Sequence, residues 1–189
     1  RPLPVWLGRS GLAWRSDPGA PNPPVGGPRK REGDGRSPAG LLSIDEMWGY
    51  AQAAPHAVKL PYRQSTMQDR CVDDVASPHY NHLVKEVGAP SWKSAEQLRM
   101  ATDHYKYLVV LGYNRGPVRP GSGSCIFLHV APSPQSPTAG CTALRETDLL
   151  ELLRKPSPCF VATLMADGSP QLTETWVTTD GEHVVLNIV

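Results

Sequence analysis

The stretch SCIFLHVAPSPQSPTAGCTAL, residues 124–144, holds two side chains whose types suit nucleophilic chemistry: His129 at the end of an apolar run and Cys141 just before a leucine-rich segment. Acyl transfer by cysteine needs thiolate, and an unperturbed thiol with pKa about 8.5 supplies only a few per cent of it near neutrality. An imidazole, with pKa about 6.5, could take the thiol proton and later pass one to an amine. Gly140 would let a substrate carbonyl approach the backbone, where N–H groups around Cys141 could meet a developing oxyanion. The same two residues also read as unrelated core or loop positions, and spacing alone leaves both readings open.

Positioning such a pair falls to the elements around it. Along an extended CIFLHV, Cys125, Phe127 and His129 share one face and Ile126, Leu128 and Val130 the other, which puts His129 at the strand exit. The intervening APSPQSPTAG is built of small, polar and proline residues that can fold back and deliver Cys141 to the imidazole. HYKYLVVLGYN reads as a second strand, joined to the first by the turn-forming RGPVRPGSG as a long-looped hairpin. RETDLLELLRK predicts a helix with Thr147 or Asp148 as N-cap, a leucine stripe over residues 149–153 and Pro156 as the stop. SWKSAEQLRM predicts a second short helix, with Ser94 as N-cap and Gln97 at capping-box spacing. A short strand is expected near Val5–Leu7, and residues 16–40, rich in proline and glycine, read as an irregular loop with surface-turn chemistry in KREGDGRSPAG.

The remaining cysteines have neither CxxC spacing nor the density of a stapled mini-domain, so each is judged singly. Cys71, beside Asp73 and Asp74, has neighbours that raise a thiol pKa, and it reads as structural. Cys125 lies about 13 Å along the strand from His129, too far for a direct bond, and reads as packing. Trp48, Trp92 and Tyr113 could line a groove but read better as core. Nineteen basic and eighteen acidic residues, interspersed, argue against nucleic acid, and no apolar run approaches the length of a membrane span. No signal peptide opens the chain, and its start at Arg1 suggests a processed or truncated N-terminus.

The ordered series LGRSGLAW, KREGDGRSPAGLLSIDEMWGYA, LPYR, CVDDVASPHYNHLV, WKSAEQL, GSCIFLHV and TAGC resembles one branch of the L,D-transpeptidase catalytic domain family, cysteine enzymes that remodel bacterial peptidoglycan. The family signature is a strand-terminal His, a loop, then Ser/Thr-His-Gly-Cys-x-Arg or Asn. Here Thr138, Gly140 and Cys141 match, whereas Ala139 and Ala143 depart from it and the loop is shorter; Ala before Gly is usual in the branch. The resemblance implies a mainly β, L,D-transpeptidase-like fold with short helices over residues 1–154. It implies Cys141 as nucleophile, His129 as base with its ring oriented by a main-chain carbonyl near Val130, and Gly140 and Thr138 as oxyanion or substrate contacts. The expected substrates are peptidoglycan stem peptides and the expected inhibitors carbapenems, with no cofactor and no metal and an extracytoplasmic location. The oligomeric state is left open.

The tail has another texture. Residues 155–189, with FVATL, Asp167-Gly168-Ser169-Pro170, Trp176 and Asp180-Gly181, predict a three-stranded meander with an exposed last strand. They resemble the opening of a pyridoxamine-phosphate-oxidase-like split barrel. Two alternatives therefore stand beside the transpeptidase reading: a fragment of an FMN- or deazaflavin-dependent oxidoreductase, and an inactive wall-binding remnant.

Overall fold

The computed structural model describes residues 3–20, 22–23, 26–131, 136–154, 159–164, 170–179 and 184–187. In chain order the strands are β1 (Val5–Trp6), β2 (Leu12–Trp14), β3 (Ser37–Ala39), β4 (Ile44–Gly49), β5 (Tyr62–Gln64), β6 (Asp69–Val72), β7 (Leu83–Lys85), β8 (Ala95–Gln97), β9 (Tyr107–Leu111), β10 (Phe127–Val130) and β11 (Thr142–Leu144). Helix α1 (Glu146–Arg154) follows, and then β12 (Cys159–Leu164), β13 (Pro170–Thr179) and β14 (Val184–Asn187). The fold is mainly β, as the sequence predicts.

Six strands form the main sheet in the order β1-β11-β10-β9-β4-β5. The β9 and β10 runs, rich in β-branched and apolar residues, pair antiparallel with His129 opposite Leu108, which is the long-looped hairpin expected from their composition. β10 and β11 are parallel, with His129 opposite Ala143. Alternation along each strand sorts the side chains to two faces. Leu108, Val110 and Phe127 join a core with Trp48, Cys71, Leu98, Tyr105, Cys125 and Cys141. Met47, Val109, Leu128, Val130 and Leu144 form a second core with Leu149 of α1.

The first core is closed by a three-stranded sheet, β7-β6-β8. A disulfide between Cys71 on β6 and Cys125 just before β10 ties this sheet to the main one. The expectation that the two cysteines act separately is thus corrected: they are distant in sequence, and only the stacking of the two sheets brings them together. Cys125 also lies outside β10, at φ +54°, so the strand phase inferred for CIFLHV begins only at Phe127. Its backbone is held in that conformation by Asn81, whose Oδ1 accepts the Cys125 N–H at 2.9 Å while its Nδ2 donates to the Tyr113 and Asn114 carbonyls.

Two further expectations are revised. The segment around Ser94 is strand β8, with Cys71 opposite Glu96, and not a helix. It has a capping-box spacing but no apolar stripe at helical period, so pairing to β6 decides its conformation. Helix α1 forms as predicted but starts earlier, at Glu146, because Glu146, Thr147 and Asp148 all suit a first turn; Asp148 there accepts from Arg145 Nε at 2.6 Å. Trp48 and Tyr113 are buried in the core as expected, and the half-buried Trp92 packs edge-on against His79. β1 lies where a strand was expected; the irregular loop contains β3, which pairs in parallel with β2.

β12, β13 and β14 make an antiparallel sheet of their own in sequence order, the predicted meander, and β14 is an edge strand of it. The turns at Asp167-Gly168 and Asp180-Gly181, and Pro156, lie outside the described residues.

Two stability measurements check this architecture. Leu149→Ala, which empties a fully buried position between α1 and the sheet, is expected to lower unfolding free energy by about 2–5 kcal/mol in urea titration. Cys71→Ser removes a cross-link spanning 54 residues and is expected to cost roughly 4 kcal/mol, with the same loss on adding reductant to the parent protein.

Candidate active site

The parallel register of β10 and β11 determines which side chains meet. Ala143 sits opposite His129, and Cys141, two positions earlier, projects to the same face of the sheet, abreast of Phe127. Both His129 and Cys141 line a cavity of about 380 Å³. They are 5% and 6% exposed, so chemistry here would proceed almost out of water.

Among the described side chains Cys141 is a free cysteine, whereas Cys71 and Cys125 are joined. Its thiol donates to the Cys125 carbonyl and accepts the Phe127 N–H, each at 3.3 Å. Among the described residues no hydrogen bond joins it to the imidazole. Burial pushes the thiol well above its ordinary pKa and the Glu96 carboxyl adds to this, while the Phe127 N–H and the Lys30 ammonium oppose it. His129 Nδ1 meets the Val130 carbonyl at 2.9 Å, the carbonyl that the family resemblance implied, which leaves Nε2 as the basic nitrogen. Burial lowers the imidazole pKa; the Val130 carbonyl raises it, the His104 ring lowers it and the His104 carbonyl raises it. At neutral pH the resting site therefore holds a thiol and a neutral imidazole, not an ion pair.

The turn carrying Cys141 is clamped at its carbonyl. Thr138 Oγ1 donates to the Cys141 oxygen at 2.5 Å, and buried Ser37 of β3 donates to the same oxygen at 2.6 Å. Ser37 in turn accepts the Gly8 N–H at 2.9 Å. Thr138 Oγ1 also accepts the Gly140 N–H at 3.1 Å, so Thr138 shapes the loop and the Gly140 N–H is already engaged. At Gly140, φ is +157° and a Cβ would lie 3.2 Å from the Arg36 carbonyl and 3.7 Å from Lys30 Nζ, which is why a side chain is disfavoured there.

Several residues at the site escaped sequence reasoning. Lys30, in the loop read as surface turn, is 3% exposed, pairs with Asp34 at 2.5 Å and lines the cavity. Tyr105 packs its ring edge-on to His129 at 5.2 Å and donates its hydroxyl to Glu96 at 2.7 Å. Glu32, Asp73 and Glu96 also line the cavity. No local signal marks them, because they come from four separate segments.

The clamp can be tested by Ser37→Ala. This change leaves the buried Gly8 N–H without its acceptor and is expected to cost about 1–3 kcal/mol of stability, measured by denaturant titration.

The described residues contain no group of three or more His, Cys, Asp or Glu side chains arranged to hold a metal, and no helix among them is long and apolar enough to cross a membrane. No curated protein and no solved structure matches the chain. The family model of the L,D-transpeptidase catalytic domain (YkuD) matches residues 3–170, running past α1 and through β12, and the chain belongs to that family.

Proposed function

We propose that this chain is a cysteine L,D-transpeptidase acting on peptidoglycan stem peptides, with Cys141 as nucleophile and His129 as general base. The observation that carries this reading is the opening of one free thiol and one backbone-oriented imidazole onto a single cavity, in a chain whose family is an L,D-transpeptidase one. The thiol is un-ionised at rest, so its proton passes to His129 Nε2 as sulfur attacks the carbonyl carbon of the third stem residue. The C–S bond forms, and the C–N bond to the terminal D-alanine breaks as His129 returns the proton to the departing amine. The thioester then yields to an amine of a second stem peptide, or to water. Backbone N–H groups at the turn, that of Cys141 first because the Gly140 N–H is engaged, would meet the oxyanion.

The Cys71–Cys125 disulfide supports an extracytoplasmic location, since disulfides persist in oxidising compartments. We place a unit boundary after α1, because among the described residues β12–β14 pair with one another and not with the main sheet.

Three measurements test this reading. Incubation with a carbapenem should add the drug's mass to the parent protein and to Cys71→Ser, and not to Cys141→Ser; an adduct on Cys141→Ser refutes the nucleophile. His129→Asn should slow acylation at least about 100-fold, and the parent's acylation rate should fall only below pH 6.5, because burial depresses the imidazole pKa from that value. Truncation after Pro156 should keep carbapenem labelling; loss of folding would refute the boundary.

A further inference from the structure

The cavity is charged unevenly. Glu32, Asp73 and Glu96 line it together with two cations, Lys30 and Arg9; among the described residues none of the three carboxylates has a salt-bridge partner, and Lys30 is already paired with Asp34. Glu32 accepts hydroxyls from Tyr80 and Ser124, and Glu96 accepts the Tyr105 hydroxyl at 2.7 Å. The Asp73 Oδ1 atom is buried and, among the described residues, has no hydrogen-bond partner. A buried carboxylate oxygen without donor or cation is costly, and an ammonium brings both charge and protons. Tyr105 links this acidic wall to the chemistry, since its hydroxyl binds Glu96 while its ring edge packs on His129.

We propose that Glu96 and Asp73 form the subsite for the acceptor amine and that Glu96 takes the first of the two protons the acceptor must lose. This rests on the transpeptidase reading above. An acceptor arrives as R–NH3+, which has no lone pair to attack a thioester. Glu96 carboxylate accepts one proton, leaving R–NH2 beside a neutral carboxyl. The nitrogen lone pair forms the C–N bond at the thioester carbon, the C–S bond breaks to Cys141 thiolate, and the second nitrogen proton passes to His129. His129 returns that proton to sulfur, and the Glu96 carboxyl releases its own to solvent.

The surroundings fit the role of a base working near neutrality. Burial raises the Glu96 carboxyl to about 7; the Tyr105 hydroxyl opposes this, and the negative charges of Asp73 and Glu32 reinforce it. Cys141, His129, His104, Tyr105, Lys30 and Arg9 are the other titratable or charged groups on the same cavity. A bound ammonium favours the ionised carboxylate, the form that can accept the proton.

The test is the partition of one acyl-enzyme between amine and water. The parent protein is given an N-acetylated tetrapeptide with lysine third and D-alanine last, with Nα-acetyl-lysine as acceptor, and the aminolysis and hydrolysis products are quantified by mass from pH 6 to 8.5. The aminolysis-to-hydrolysis ratio is expected to rise through about pH 7 in the parent. In Glu96→Gln it should be at least tenfold lower and lose that inflection, with partial recovery in Glu96→Asp; Asp73→Asn should lower it severalfold. A ratio unchanged in Glu96→Gln overturns the proposal, as does a fall in both branches in proportion, which is what a merely structural Glu96 would produce. Should Glu96→Gln not fold, an unchanged ratio in Asp73→Asn together with a parent ratio flat across pH overturns it equally. Absence of any acyl-enzyme on the parent would refute the transpeptidase reading itself, and this inference with it.

Discussion

The parallel pairing of β10 with β11 is the constraint on which the site depends. Antiparallel neighbours can be joined by a tight turn, but parallel ones need a crossover, and here the connection from Val130 to Cys141 makes it. The register then determines side: with Ala143 opposite His129, residue 141 must project to the same face as the imidazole. A slip of one residue would send Cys141 into the opposite core, among Leu128, Val130 and Leu144. β1 covers the outer edge of β11, and Ser37 and Thr138 bind the Cys141 carbonyl, so register and turn are held from both sides.

A second support comes from across the core. The disulfide and Asn81 hold Cys125, whose carbonyl receives the Cys141 S–H. Cys141 thus rests against a residue anchored covalently to the smaller sheet, and that sheet also supplies Glu96. Thiol position and much of the cavity wall follow from the stacking of two sheets. Keeping the thiol un-ionised and buried also protects it, since thiolate is the form that oxidises and exchanges with disulfides.

Much of the fold was legible in local pattern. Runs rich in β-branched and aromatic residues marked β9 and β10, the leucine run with its acidic first turn marked α1, and the DG-punctuated tail marked a meander. These succeed because the signals are local: β-branched runs favour strands, a leucine stripe behind acidic residues favours a helix, and Asp-Gly favours a tight turn. The segment around Glu96 failed for the complementary reason: its few apolar residues express no period, so the partner strand β6 chose its conformation.

The sequence by itself determined which groups could act, a thiol and an imidazole with a glycine beside the thiol, and the family motif in which they stand, because reactivity is a property of side-chain type and a motif is a matter of order along the chain. Tertiary structure decided the rest: that Cys71 and Cys125 are one cross-link, that Lys30 and Glu96 belong to the cavity, and that the resting thiol bonds to a carbonyl and not to the imidazole. Pairings between segments tens of residues apart leave no mark in either segment alone. The pKa of a buried group is likewise decided by the packing that removes water from it and the charges that packing brings near.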